Sequence, residues 1–175
     1  MGGDKSFNSS LAIDFKKFQP KNIAYLALFI AFVAIATFIS IKWPAGYFNL
    51  GEVAIYLVAL LCGPVAGAIA GAIGSALTDT FLGYFIPWAP LTFVIKGLEG
   101  YLVGRFAKPL QVKRALFGVG LGGLWMILGY GLATALVYNW AAVLPELVAD
   151  LGQVLVGAVV AIPLAIKLNR SLRNM

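Results

Sequence analysis

Histidine and cysteine are the residues that this sequence lacks or nearly lacks. Its 175 residues include no histidine and a single cysteine, Cys62. Without histidine the chain has no Ser-His triad and no histidine-based metalloprotease site, and it lacks the commonest ligand for transition metals. One cysteine allows neither an internal disulfide nor a cysteine metal cluster. We therefore expect no metal and no cofactor.

Signatures of nucleotide chemistry are also missing. The sequence has no glycine-rich loop ending in lysine that would cradle a phosphate. The run GVGLGG at 118–123 matches the dinucleotide glycine pattern, but it lies inside an apolar stretch with no preceding strand. Asp79 and Glu99 could meet as an intramembrane acid pair, yet Lys96 beside Glu99 argues against aspartyl catalysis. We predict that the chain is not an enzyme.

Charged residues are scarce as well. They make up 11% of the chain, whereas hydrophobic residues make up 61%. A soluble domain carries about 25% charged residues, because its surface must be hydrated. The first apolar stretch, 23–41, is longer than the core of a cleavable signal peptide, and more apolar stretches follow it. The composition predicts an all-α, multi-pass protein of the cell membrane whose main solvent is the lipid bilayer.

Charged residues, glycine and proline divide the apolar sequence into candidate spans. A transmembrane helix needs about 20 apolar residues, and the second and third candidates are short. Together the spans predict a transmembrane domain at 21–168 between a tail at 1–20 and a tail at 169–175, both cytoplasmic. The six candidate spans are 22–41, 52–66, 68–83, 90–106, 115–138 and 147–167.

Basic residues form three clusters that predict the orientation. Six spans place all three clusters on one side of the membrane, and the positive-inside rule makes that side cytoplasmic. Both termini are then inside, and the segments 42–51, 84–89 and 139–146 face outward. The net charge of +6 thus reflects membrane topology, and we expect no nucleic-acid partner. The clusters are Lys5, Lys16, Lys17 and Lys21; Arg105, Lys108, Lys113 and Arg114; and Lys167, Arg170 and Arg173.

Polar residues inside the spans concentrate in the predicted outer half. A charge at this depth costs about 2.5–3.5 kcal/mol, so such groups are expected to face the interior and to pair. Lys96 and Glu99 are three residues apart and therefore neighbours on one helix face. They form either a salt bridge that only supports packing or part of a polar cavity that opens outward. The cavity also accounts for the similar depth of Asn49, Glu52, Asp79 and Gln153.

Aromatic residues cluster at the same level. Trp and Tyr belts form at any membrane interface, but Tyr84 and Trp88 lie in a segment stiffened by prolines. A rigid aromatic loop over a polar cavity suits a flat, polar small molecule. The movable lid is then predicted at 43–50, with Gly46 and Gly51 as hinges.

Small residues recur at helical spacing in several spans. Such rows let helix backbones approach closely in lipid. Packing within the protein is the default interpretation of each row, and the row on the first helix can also be a docking face for another membrane protein. The rows are Gly63, Gly67 and Gly71; Ala68, Ala72 and Ala76; and Ala24, Ala27, Ala31 and Ala34.

These features together resemble those of a known transporter family. The six spans, the alanine row, GYFNLGEVAIYLVALLCGPVAGAIAGAIGSALTD at 46–79 and IKGLEGYLVG at 95–104 resemble an S component of an energy-coupling factor (ECF) vitamin transporter. The resemblance covers roughly residues 22–168 and is greatest to the riboflavin, hydroxymethylpyrimidine and pyridoxine group. It implies a high-affinity substrate-binding subunit of an ATP-driven importer.

The resemblance also implies partners and site residues. Ala27 and Ala31 match a motif that contacts a transmembrane coupling subunit, the T component, which binds two cytoplasmic ATPases. The first outer loop, 42–51, matches a lid over the substrate. Family and depth arguments together nominate Asn49, Glu52, Asp79, Tyr84, Trp88, Lys96, Glu99, Tyr138, Asn139 and Gln153 as substrate-binding residues.

The substrate itself is less constrained. Cobalt and nickel S components use an N-terminal histidine, which this chain lacks. The segment NLGE differs from the acidic stretch of riboflavin members and favours pyridoxine or hydroxymethylpyrimidine, with riboflavin next. Two alternatives stay open, a stand-alone small-molecule facilitator or channel and a non-transporting membrane assembly subunit.

Overall fold

A computed structural model describes residues 19–43, 46–84, 86–108 and 111–174 of the chain, with side chains except at 42, 43, 46, 47 and 173. This part of the chain forms six α-helices, a β-hairpin and one short 3-10 helix. The helices are α1 (Pro20–Phe38), α2 (Gly51–Cys62), α3 (Pro64–Phe81), α4 (Trp88–Phe106), α5 (Val112–Val137) and α6 (Val143–Arg173). The hairpin strands are β1 (Ser40–Trp43) and β2 (Gly46–Asn49), and the 3-10 helix is Trp140–Ala142.

Each predicted span contains most of one helix, although span 22–41 runs into β1 and span 52–66 runs into α3. The predominantly α-helical architecture is confirmed. The largest difference is in α6, which begins before position 147 and continues beyond position 168. Pro145 lies in its first turn, where proline is tolerated. After Pro163 no glycine or proline stops the helix, and the Lys, Leu and Arg residues there favour it. Of the predicted N-terminal tail, 1–20, residues 1–18 lie outside the described part of the chain.

Length and composition identify only some of these helices as membrane spans. In the described part of the chain, Pro20–Phe38, Val112–Val137 and Trp140–Leu172 are long and apolar enough to cross a bilayer, and Gly51–Cys62 is apolar but shorter. The helix α4 carries Lys96 and Glu99, which are 5% and 0% exposed. Charges buried within a bundle do not face lipid. The chain is a multi-pass membrane protein, and the number of spans stays a prediction.

Helices that follow one another in the sequence run in opposite directions. Gly67 of α3 packs against Gly100 of α4, whereas Gly71 packs against Lys96, so α3 and α4 are antiparallel. Similar contacts make α4 antiparallel to α5 and α5 antiparallel to α6. Apart from Lys96 and the basic residue of the hairpin, the described basic residues therefore lie at one end of the bundle. The hairpin and the start of α6 lie at the other end.

The closest helix approach is between α3 and α4. A Cβ atom built on Gly71 would lie 2.7 Å from the carbonyl oxygen of Lys96, and one built on Gly67 would lie 2.7 Å from that of Gly100. The predicted packing role of this glycine row is thus confirmed. The α1 row behaves differently, because Ala24, Ala27 and Ala31 are exposed on the surface of the bundle. Packing within the protein does not explain that row.

The predicted lid, 43–50, overlaps the β-hairpin, which begins earlier, at Ser40. Its strands pair antiparallel, with Ile41 opposite Phe48, and the backbone N–H of Leu50 donates to the carbonyl of Ala36. The side chain of Phe48 packs over Gly152 of α6. Two short runs, SIKW and GYFN, stand on either side of a proline in the sequence. Short runs bounded by proline or glycine indicate strands, and the prediction of a loop lid did not use this signal.

The bundle interior changes character along its length. Toward the basic end, buried apolar residues from all six helices form a continuous core that includes Val33, Leu60, Val103, Val119 and Ala161. Toward the hairpin end, a smaller apolar cluster around Ile95 and Met126 lies beside buried polar groups. The candidate site therefore lies at the polar, hairpin end of the bundle.

Candidate ligand-binding site

Lys96 is the centre of a buried charged cluster between α2 and α4. Its Nζ donates to Oε1 of Glu52 and, at 3.0 Å, to Oε2 of Glu99. The hydroxyl of Tyr56 donates to Oε1 of Glu99 at 2.9 Å. Buried charges persist in proteins when they are paired and hydrogen-bonded. The predicted Lys96–Glu99 pair is confirmed, and Glu52 is its additional partner.

Local helix structure explains why these groups meet. Glu52 lies in the first turn of α2, where the helix dipole favours a negative charge. The glycine approach described above draws α3 against α4 at Lys96. On the other side, a Cβ atom on Gly157 of α6 would lie 2.8 Å from Cβ of Glu52. Small residues on both sides thus hold α2 and α4 at the distance that the ion pairs require.

Above this cluster a pocket opens at the hairpin end of the bundle. It encloses about 550 Å³ of empty space, a figure that includes space open to solvent. Lys96 forms part of its floor. Its lining residues are Asn49, Asp79, Tyr84, Trp88, Thr92, Lys96, Tyr130, Tyr138, Glu146, Asp150 and Gln153.

One wall of the pocket is aromatic. The ring of Trp88 lies 6.3 Å from the ring of Tyr130 and 5.8 Å from that of Tyr138, centroid to centroid. Trp88 Nε1 donates to the Tyr138 hydroxyl at 3.3 Å, and the Tyr130 hydroxyl donates to Oγ1 of Thr92 at 2.9 Å. Lys96 Nζ lies 5.4 Å from the Tyr130 ring centroid. This wall presents flat surfaces, held in place by hydrogen bonds, against which a planar ligand can stack.

The opposite wall comes from α6 and is polar. Gln153 Nε2 donates to Oδ1 of Asp150 at 3.4 Å, while Gln153 Oε1 accepts from the backbone N–H of Asn49 at 3.2 Å. The side chain of Asn49 accepts in turn from the N–H of Gly51 at 2.7 Å. The last residue of β2 is therefore bonded to the start of α2 and to the pocket wall.

The structure brings together most of the predicted binding residues but not all of them. Glu52 and Glu99 lie beneath the pocket, in contact with Lys96, and do not line it. Asn139 does not line it either, because its side chain caps the 3-10 helix by accepting from the N–H groups of Ala141 and Ala142. The nominated residues that do line the pocket are Asn49, Asp79, Tyr84, Trp88, Lys96, Tyr138 and Gln153.

Sequence reasoning missed four lining residues. Thr92 is one turn before Lys96, and Glu146, Asp150 and Gln153 are spaced four and three apart, so helical spacing from the nominated residues would have found them. Tyr130 has no such signal. It lies in α5 among apolar residues and glycines that offer no nominated neighbour at helical spacing.

An apolar helical bundle with a polar, aromatic-walled pocket is typical of a membrane protein that binds a small molecule. Comparison with known proteins identifies the family. The chain matches the family model of the ECF-type riboflavin transporter, S component, over residues 17–170. It is also 38% identical over 116 residues to a protein of Pyrococcus woesei named "Uncharacterized protein in gap 3'region", covering 66% of this chain and 77% of that protein.

The chain therefore belongs to the ECF-type riboflavin transporter S component family. Members of this family are substrate-binding subunits of vitamin transporters, so the chain is a transporter subunit and not an enzyme. Its localisation in a membrane follows from the same membership and from the apolar helices.

Proposed function

We propose that this protein captures a planar nitrogen-heterocyclic B vitamin, or a vitamin precursor, at the outer face of the cell membrane for an ATP-driven importer. The pocket between the aromatic wall and α6 carries this proposal. It lies at the end of the bundle opposite the basic clusters, and basic clusters mark the cytoplasmic side. With both termini inside, the pocket opens outward, where a nutrient arrives.

The pocket chemistry fits a flat heterocycle. We place the ring against Trp88, Tyr130 and Tyr138, whose aromatic side chains line the pocket close to one another. An ammonium group has three donors, and Lys96 uses them for Glu52, for Glu99 and for the pocket that it lines. We assign the third donor to a carbonyl oxygen or ring nitrogen of the ligand.

Among vitamins, riboflavin is now the leading candidate. The family description names it. The segment NLGE at 49–52 had favoured pyridoxine or hydroxymethylpyrimidine. Its glutamate lies beneath the pocket against Lys96, and so it carries little weight in choosing among ligands. Pyridoxine and hydroxymethylpyrimidine follow riboflavin as candidates.

Uptake would depend on partner subunits. The expected partners are a T component and two cytoplasmic ATPases, which would supply the ATP hydrolysis. Ala27 and Ala31 are exposed on α1, so a helix of the T component could approach the backbone of α1 closely there. In the isolated subunit this face of α1 would contact lipid.

The test begins with the protein as it is made in cells. It is purified in detergent without added ligand and denatured, and the released small molecules are identified by mass spectrometry. A stoichiometric vitamin-like heterocycle supports the proposal and names the substrate. An empty protein whose tryptophan fluorescence does not respond to riboflavin, pyridoxine or hydroxymethylpyrimidine contradicts it and favours a non-transporting assembly subunit.

Reconstitution separates the importer from a facilitator. Proteoliposomes containing this chain alone are compared with vesicles that also contain a T component and ATPases supplied with ATP. Uptake that requires the partners and ATP is expected. Equal uptake by the chain alone would indicate a stand-alone facilitator or channel.

A further inference from the structure

Two carboxyl groups on α6 face the pocket one helical turn apart. Glu146 and Asp150 both line it, and residues four apart on a helix are neighbours on one face. Asp150 is 2% exposed. Among the described residues, no hydrogen-bond partner reaches Oε2 of Glu146 or Oδ2 of Asp150, although both atoms are buried.

The protein itself orients Asp150. Its Oδ1 accepts from Gln153 Nε2, and Gln153 is bonded to the backbone of Asn49 at the end of the hairpin. One carboxyl oxygen is thus used for positioning, and the other is buried with no hydrogen-bond partner among the described residues. A buried acceptor without a donor is unfavourable, and a ligand that brings a donor removes that cost.

The pocket lining offers little positive charge to a ligand. Among the described side chains that line it, Lys96 is the one cation, and it already contacts Glu52 and Glu99 beneath the floor. Asp79, Glu146 and Asp150 add three more carboxyl groups to the lining. In the low-dielectric interior of a membrane protein, this balance disfavours a ligand that brings further negative charge.

We propose that Glu146 and Asp150 form an acceptor subsite that binds the hydroxyl- or amino-bearing end of the ligand and excludes its phosphate ester. The ring occupies the aromatic wall, and the donor-rich substituent extends along α6. A phosphate monoester carries close to two negative charges at neutral pH and offers mainly acceptors, so it meets three carboxyl groups with little to donate. The inference rests on the proposed vitamin-binding function.

Equilibrium binding to the purified full chain tests this subsite. Riboflavin is compared with riboflavin 5′-phosphate, and pyridoxine with pyridoxine 5′-phosphate, by tryptophan fluorescence or calorimetry. We expect the wild-type protein to bind the unphosphorylated form at least about tenfold more tightly, a difference of about 1.4 kcal/mol. Asp150→Asn and Glu146→Gln should each weaken binding of the unphosphorylated vitamin and reduce this preference about tenfold. The control Asp14→Asn removes one negative charge outside the described residues and should leave the preference unchanged.

Each outcome distinguishes the subsite from the proposed function. If a vitamin binds the wild type but Asp150→Asn and Glu146→Gln keep the wild-type preference, the subsite is overturned and the vitamin-binding function stands. Equal affinity of the wild type for both forms also overturns the subsite. Binding of neither form of any vitamin overturns the proposed function and the subsite with it. If a variant fails to fold, the wild-type preference and the other variant decide.

Discussion

Nζ of Lys96 lies 3.0 Å from Oε2 of Glu99 and also contacts Glu52, so two buried carboxylates share one cation. Lys96→Met would leave both carboxylates without a counterion. Breaking a buried ion pair by removing one partner costs about 3–5 kcal/mol. Loss of ligand binding in that variant would therefore mix a direct effect with misfolding.

A charge-balanced variant separates the two effects. The triple substitution Glu52→Gln, Lys96→Met and Glu99→Gln replaces the cluster with uncharged groups of similar size. We expect it to regain most of the stability that Lys96→Met loses, because neutral replacements of buried ion clusters are often tolerated, and to remain deficient in ligand binding. Thermal unfolding and equilibrium binding are measured on the same samples. Wild-type affinity in the triple variant would show that the cluster is only structural.

The hydrogen bond between Gln153 and Asn49 joins the end of the hairpin, in the predicted lid, to the pocket wall. It is therefore expected to slow ligand release. Gln153→Leu removes the acceptor for the Asn49 N–H and the donor to Asp150. Losing hydrogen bonds of about 0.5–1.5 kcal/mol each should raise the dissociation rate about tenfold, with a smaller change in the association rate. Stopped-flow tryptophan fluorescence measures both rates. Gln111→Leu, at the exposed start of α5, is the control, and an unchanged dissociation rate in Gln153→Leu would contradict the role of this bond in retaining ligand.

The α3–α4 contact predicts a position-specific effect of alanine. At Gly71 a Cβ atom would lie 2.7 Å from backbone oxygen of Lys96, which cannot move aside as a flexible side chain can. We expect Gly71→Ala to lower the free energy of unfolding by about 1–3 kcal/mol and to weaken ligand binding through displacement of Lys96. At Gly120 no described atom lies within 4 Å of the added Cβ, so Gly120→Ala should be neutral or stabilising by up to about 1 kcal/mol. Equal destabilisation by both variants would contradict the close-approach explanation.

The exposed alanine row on α1 predicts a defect that appears only in the assembled transporter. Ala27→Trp adds bulk at a residue that is exposed on the surface of the described bundle. Ligand binding and unfolding of the isolated subunit should therefore stay at wild-type values, while co-purification with a T component and ATP-dependent uptake are lost. Leu28→Trp is the matched control, because Leu28 is the next residue and is 62% exposed. Loss of uptake in Leu28→Trp alone would place the contact on a different face of α1.

Several features of the protein were readable from its sequence. The scarcity of charge and the grouping of basic residues are one-dimensional properties, so the membrane environment and the helical segments followed without a structure. Lys96 and Glu99 are three residues apart, and helical geometry alone makes them neighbours. The depth of Asp79 and Gln153 along their helices likewise pointed to a polar cavity at one end of the bundle.

Other features depended on how the helices are rotated and paired. Glu52 meets Lys96 across 44 positions, Tyr130 enters the pocket from α5, and Asp150 lines it with one buried oxygen that has no described hydrogen-bond partner. In a soluble helix the polar face reveals its rotation, but a helix in lipid is apolar on nearly every side. Rotation is then decided by where small residues allow two backbones to approach, as at Gly67 and Gly71. The sequence alone therefore determined which residues lie at the depth of the site, and the tertiary packing decided which of them face it.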